Sequence, residues 1–195
     1  MKLIKSAIAL TVGGLLSATA FAQTSASEVQ RNINQENRIE QGLQSGQLTT
    51  KEAGKLEREE SKVDKMESKA LKDGNLSAQE KSRIQRAQNK VSNDIYQEKH
   101  DAQVGNPNSA SSKRMQADVQ RNINQQSRIQ EGINTGSLTN HEAAKLERGQ
   151  AKVDRKEARA AADGHVGARE QKHIQHADNR QSHHIFHQKH DGQTK

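Results

Sequence analysis

Six of the chain's nine histidines fall in one stretch, HIQHADNRQSHHIFHQKHD over residues 173–191. Imidazole is a neutral nitrogen ligand for copper, nickel and zinc, so this density bears on metal chemistry. At 100° per residue, Ile174, Ala177 and Ile185 mark the buried direction of a helix. His176, His183, His187 and His190 cluster on a face well away from it. His183 and His187 are i,i+4 neighbours and His187 and His190 are i,i+3, so their rings project from successive turns. The spacing predicts that these four histidines bind a divalent transition metal, Cu(II), Ni(II) or Zn(II), on an open surface. Asp191 could add an oxygen, and His190 also suits a helix C-terminus, where a partly charged ring is favoured by the helix dipole.

Other chemistries find less in the sequence. SGQLTTKE and KDGNLSAQE share a glycine and a later glutamate with calcium loops. The positions that should supply oxygens before Gly74 are Lys69, Leu71 and Asp73, and before Gly46 they are Gln41, Leu43 and Ser45, so calcium is not expected there. The His-Asp pairs at 100–101 and 190–191 come with no nucleophile, and the chain is not expected to be an enzyme. Arg83, Arg86, Lys90 and Arg180 could meet a polyanion such as nucleic acid, lipopolysaccharide or an acidic exopolymer. Acidic residues are interspersed along every helix, however, which reads as a solvated, salt-bridged face.

The elements that carry these residues are duplicated. VQRNINQENRIEQGLQSGQLTTKEAGKLER from Val29 recurs as VQRNINQQSRIQEGINTGSLTNHEAAKLER from Val119, and the match runs on to KHDAQ and KHDGQ. Residues 23–103 form copy one, 117–195 the His-rich copy two, and 104–116 a Gly/Asn/Ser-rich connection with the sole proline, Pro107, which reads as a flexible linker. At the histidine positions copy one has Arg83, Arg86, Asn93, Asp94, Gln97 and His100, so the helix does not require the imidazoles. Each copy reads as three helices. Val29, Ile33, Ile39 and Leu43 stripe the first, which closes at Gly46. Thr49-x-x-Glu52 and Ser77-x-x-Glu80 open the second and third as capping boxes. Their stripes are Ala53, Leu56, Val63, Met66 and Ala70, then Ile84, Ala87, Val91 and Ile95. Copy two has Gly167 in place of the third cap serine. The expected fold is all-α, a tandem three-helix unit with thin antiparallel packing.

The N-terminus, MKLIKSAIALTVGGLLSATAFA, has a basic start, an apolar run and a small-residue close, the pattern of a secretory signal over residues 1–22. That places the mature chain in the periplasm or outside the cell, with no membrane-spanning segment. Removing Lys2 and Lys5 takes the net charge from +7 to +5. There is no cysteine, so metal ligands must be nitrogen or oxygen. A mean hydropathy of −1.10 and few aromatics argue against a large apolar core.

The repeated pattern N-x-x-x-x-R-I-x-x-G-x-x-[ST]-G-x-L-T-x-x-E-A, closed by I-[YF]-x-x-K-H-D, resembles exported proteobacterial helical-repeat proteins without an assigned activity. LTTKEAGKLER and LTNHEAAKLER are also similar to the L-T-x-x-Q motif of Spy- and CpxP-like periplasmic stress proteins, with glutamate in place of the glutamine. The resemblance implies an exported helical protein and, through the second group, a helical interaction or chaperone-like module that would use the exposed Tyr96 and Phe186 positions. Metal buffering through the histidine stripe is the function that the residues themselves favour.

Overall fold

The computed structural model describes residues 16–192, all of them helix or connection. Six helices follow in order: α1 Leu16–Ser45, α2 Thr50–Ala70, α3 Ala78–Lys99, α4 Ala110–Thr135, α5 Asn140–Ala160 and α6 Ala168–His190. The fold is all-α. Residues 1–15 of the expected signal segment lie outside the described residues, and no described helix is long and apolar enough to cross a membrane.

Local chemistry sets the helix ends. Thr49 accepts from the Glu52 amide at 3.2 Å while the Glu52 carboxylate accepts from the Thr49 amide at 2.8 Å. Ser77 with Glu80 and Thr139 with Glu142 repeat this reciprocal arrangement. At Gly167 only the glutamate half survives, the Gly167 amide donating to Glu170 Oε2 at 2.7 Å. Gly46 and Gly136 end α1 and α4 at φ of 76° and 75°, a left-handed conformation that only glycine adopts without strain. The chain then folds back so that Leu48 donates to the Gly42 carbonyl at 2.9 Å and seals the end with an apolar contact.

The packing departs from the sequence expectation in two respects. First, the two halves are not separate thin bundles: the most extensive helix contacts are α2 with α5 and α1 with α4, between the halves. Both pairs are antiparallel. Along α2 and α5, Asn140 donates to Gly74 O, Ser61 donates to Ala151 O, and Gly54 abuts Ala161. Along α1 and α4, Gln130 donates to Ala26 O and to Gln30. α3 and α6 flank this four-helix centre, and one continuous apolar core, including Ile39, Leu56, Ile95, Ile129, Leu146 and Ile185, joins both halves. Secondly, the connection expected to be a flexible linker is docked. Gly105 donates to Gly46 O at 2.8 Å, and any side chain there would meet Leu48 O, while α4 already begins at Ala110 under a Ser109 cap.

Candidate functional site

α2 and α5 sort their charges in an uncommon way. The exposed residues of α2 are Lys51, Lys55, Arg58, Lys62, Lys65 and Lys69. Those of α5 are His141, Lys145, Arg148, Lys152, Arg155, Lys156 and Arg159. No exposed residue on either helix is acidic. Because the helices lie antiparallel and close, these cations merge into one surface about 30 Å long. Arg58, Lys62, Lys65, Arg155 and Arg159 line a groove of about 440 Å³ between them, with Ser61 at its floor. Lys55 is ion-paired, to Glu98; among the described residues the other lysines and arginines of this surface form no ion pair.

The acidic residues are beneath. Glu57, Glu60, Asp64 and Glu67 of α2, Glu147, Asp154 and Glu157 of α5, and Glu36 of α1 are all buried, Glu57 at 0% and Glu60 at 1% exposure. Among the described residues these carboxyls form no ion pair with lysine or arginine, and side-chain amides donate to several of them. Asn32 donates to Glu67 at 2.9 Å, and Asn122 donates to Glu157 at 2.8 Å. Gln126 reaches Asp64 and Glu147 at 3.5 and 3.3 Å. Many oxygens are still unpartnered, among them both of Glu60, Glu57 Oε1, Asp64 Oδ2 and Asp154 Oδ2.

Loss of hydration, reinforced by neighbouring acids, drives these carboxyls toward the neutral form. Burial lifts Glu67 to about 8, and Asp154 to about 7. Glu36, Glu57, Glu60, Asp64, Glu147 and Glu157 are all pushed well above the ordinary carboxylate range, by burial first and by one another second. At the flank, Asp118 rises to about 7 and Asp178 to about 6 through burial, Asp178 being held down by Arg121. A layer of acids that does not ionise fully leaves the cations above it uncompensated.

The histidine stripe lies on α6, which packs beside α5, and its four members are all exposed. His183 and His187 are brought together, Nε2 to Nε2 at 2.9 Å. His190 turns elsewhere: its Nδ1 bonds the Phe186 carbonyl at 2.7 Å and its ring stacks on Phe186. His100 does the same on Tyr96 at the end of α3. His176 is seven residues before His183, about 10.5 Å along the axis, beyond reach of the same ion. Among the described residues, no histidine belongs to a group of three or more convergent metal-type ligands.

The basic residues singled out on α3 are engaged locally, Lys90 with Glu59 and Asp94 and Arg86 with Ser82. Tyr96 and Phe186 are 60% and 52% exposed. Glu52, Glu98 and Asp101 also converge, and the Lys55–Glu98 pair already supplies them with a cation.

Sequence reasoning missed the α2–α5 surface and the acids under it. The signal was available in the period: Glu57, Glu60, Asp64 and Glu67 are spaced 3, 4 and 3, the spacing of a helix seam, and Glu147, Gln150, Asp154 and Glu157 repeat it. The chain matches no protein-family model, no curated protein and no solved structure.

Proposed function

We infer that the protein is an exported polyanion-binding module that works through the outer surface of α2 and α5. The observation that carries this reading is that every exposed residue of these two helices is lysine or arginine, save His141. Such a surface attracts phosphate- or carboxylate-bearing polymers and releases their counterions on binding. With no tryptophan, one tyrosine and two phenylalanines in the chain, base stacking contributes little, so recognition rests on backbone charge and is indifferent to sequence. The test is binding to a phosphate polyanion over a range of salt concentrations, with and without charge reversal at Lys62 and Arg155. An affinity unmoved by salt or by reversal removes the reading.

A second activity is supported by the 2.9 Å approach of His183 and His187. Two convergent imidazoles on successive turns form an open chelate for Cu(II), Ni(II) or Zn(II), with solvent or a partner completing the coordination. Within this reading His176 and His190 are peripheral. Titration of tag-free protein with each metal tests it, and equal uptake by a variant lacking both His183 and His187 would count against it.

A further inference from the structure

The carboxyls of the interior fall into two trios. Glu36, Glu57 and Asp154 each place one oxygen within 4.8 Å of the other two, and so do Asp64, Glu67 and Glu147. A calcium-sized ion holds its oxygens at about 2.3–2.6 Å, so oxygens on one ion lie up to about 5 Å apart, and the spacing within each trio falls inside that limit. The trios adjoin, because Asp64 of one and Asp154 of the other are within hydrogen-bonding reach.

Buried oxygens without a partner point to a missing positive charge. Glu60 is 1% exposed, has no hydrogen-bond partner on either oxygen, and is charge-coupled to Asp154 of one trio and Glu67 of the other. Within the trios Glu36 Oε2, Glu57 Oε1, Asp154 Oδ2, Asp64 Oδ2 and Glu147 Oε1 are buried and also unpartnered. The deficit is of donors. A proton satisfies one or two of these acceptors, whereas a cation that takes six to eight oxygens satisfies several together.

We propose that the two trios, with Glu60, form a paired all-oxygen site for hard divalent cations of the Ca²⁺ and Mn²⁺ class. Softer ions preferring nitrogen belong to the histidines instead. The site lies inside the α1–α2–α5 packing, so the ion enters as the chain folds, and binding is coupled to folding.

The test uses the whole protein carrying His183→Ala and His187→Ala, which separates this site from the histidine pair. The protein is refolded from denaturant at pH 7.5 with chelator, with Ca²⁺, or with Mn²⁺, at matched ionic strength. Saturating Ca²⁺ or Mn²⁺ should raise the melting temperature by about 5–10 °C, and Mn²⁺ should remain bound through gel filtration with an electron paramagnetic resonance signal distinct from the free ion. Adding Asp64→Asn and Asp154→Asn, which keeps shape and removes like charges, should leave a folded protein with no cation-dependent shift. Glu36→Gln, which reproduces the residue standing at position 126, should fold and bind at least tenfold more weakly at one centre. No shift in the parent, or an equal shift in the Asp64→Asn, Asp154→Asn protein, overturns the proposal.

Discussion

Asp64 and Asp154 occupy matching positions ninety residues apart and meet side chain to side chain within the α2–α5 seam. Two carboxyls in hydrogen-bonding contact must share a proton when no cation lies between them. The folded state therefore binds more protons than the unfolded chain. Unfolded carboxyls titrate near 4, while Asp154 and Glu67 in the fold titrate at about 7 and about 8. Stability from these groups is complete below the unfolded value and is lost as pH rises through the window from about 4 to 8. With chelator present, denaturation midpoints should accordingly be higher at pH 5 than at pH 7.5, by about 1.4 kcal/mol per pH unit for each proton of difference. Asp94 and Glu131, whose carboxyls are lowered through the hydrogen bond from Glu59 and the pairing with Lys189 respectively, oppose this only below the window. A midpoint that falls on acidification to pH 5 would contradict the assignment.

The cationic surface predicts a graded response to salt. Each cation in contact with a phosphate contributes roughly one unit to the slope of log affinity against log salt. Replacing Lys62 and Arg155 by alanine should reduce that slope by about 2 and weaken binding about equally for different nucleic-acid sequences. Replacing Arg83 and Arg86 on α3 should change it far less. Fluorescence anisotropy with a labelled oligonucleotide at several salt concentrations distinguishes the two surfaces.

Much of this fold is visible in the residue pattern, because the apolar stripes and capping residues are local signals. Thr49, Ser77 and Thr139 each open a helix by bonds within three residues, and Ile84, Val91 and Ile95 are buried as their spacing predicts. What was not legible is nonlocal. A glutamate on a helix normally faces water, and although the 3, 4, 3 spacing of Glu57, Glu60, Asp64 and Glu67 has the period of a seam, it does not say that α5 will cover it. The cations that give the surface its character are legible only once those acids have been removed from it. For the histidines, periodicity placed four on one face, but ring direction decided the outcome. His190 is drawn to the Phe186 carbonyl, and His183 and His187 are left to converge.

At the histidine pair, His183→Ala or His187→Ala should each lower affinity for Cu(II) or Ni(II) by tenfold or more, since either removes the chelate. His176→Ala should have little effect. Acidification should weaken binding because protons compete for the same ring nitrogens. Calorimetric titration of the single variants provides the comparison.

The closeness of α2 and α5 depends on a missing side chain. A Cβ built at Gly54 would lie 2.5 Å from the Ala161 Cβ, an atom fixed by the backbone of the facing segment. Gly54→Ala should therefore force the helices apart and cost about 1–3 kcal/mol, despite alanine's higher helix propensity. At Gly149 the first obstacle is the amide end of Gln181, which can swing away, so Gly149→Ala should cost less. Thermal melts of the two variants, followed by circular dichroism, give the order directly.

The reciprocity of the seam has a consequence for the halves taken separately. Glu57 is charge-coupled to Glu157, and Glu67 to Glu147, so each position meets the counterpart of the other. That is the signature of an isologous interface, in which identical patches of two subunits face one another across a twofold axis. The two halves of the chain face one another in the manner of such an interface, with the short segment around Gly105 as the tether between them. Cut at that tether, residues 23–103 should complete the seam with a second copy of themselves, a dimer that sedimentation would register. Such a self-paired half would carry Glu36, Glu57, Glu60, Asp64 and Glu67 twice over, without the glutamines that stand at 126 and 150, and it would be the more acidic interior of the two possible homodimers. In the joined chain one half carries Gln126 and Gln150 where the other carries Glu36 and Glu60, an asymmetry closed to a true homodimer.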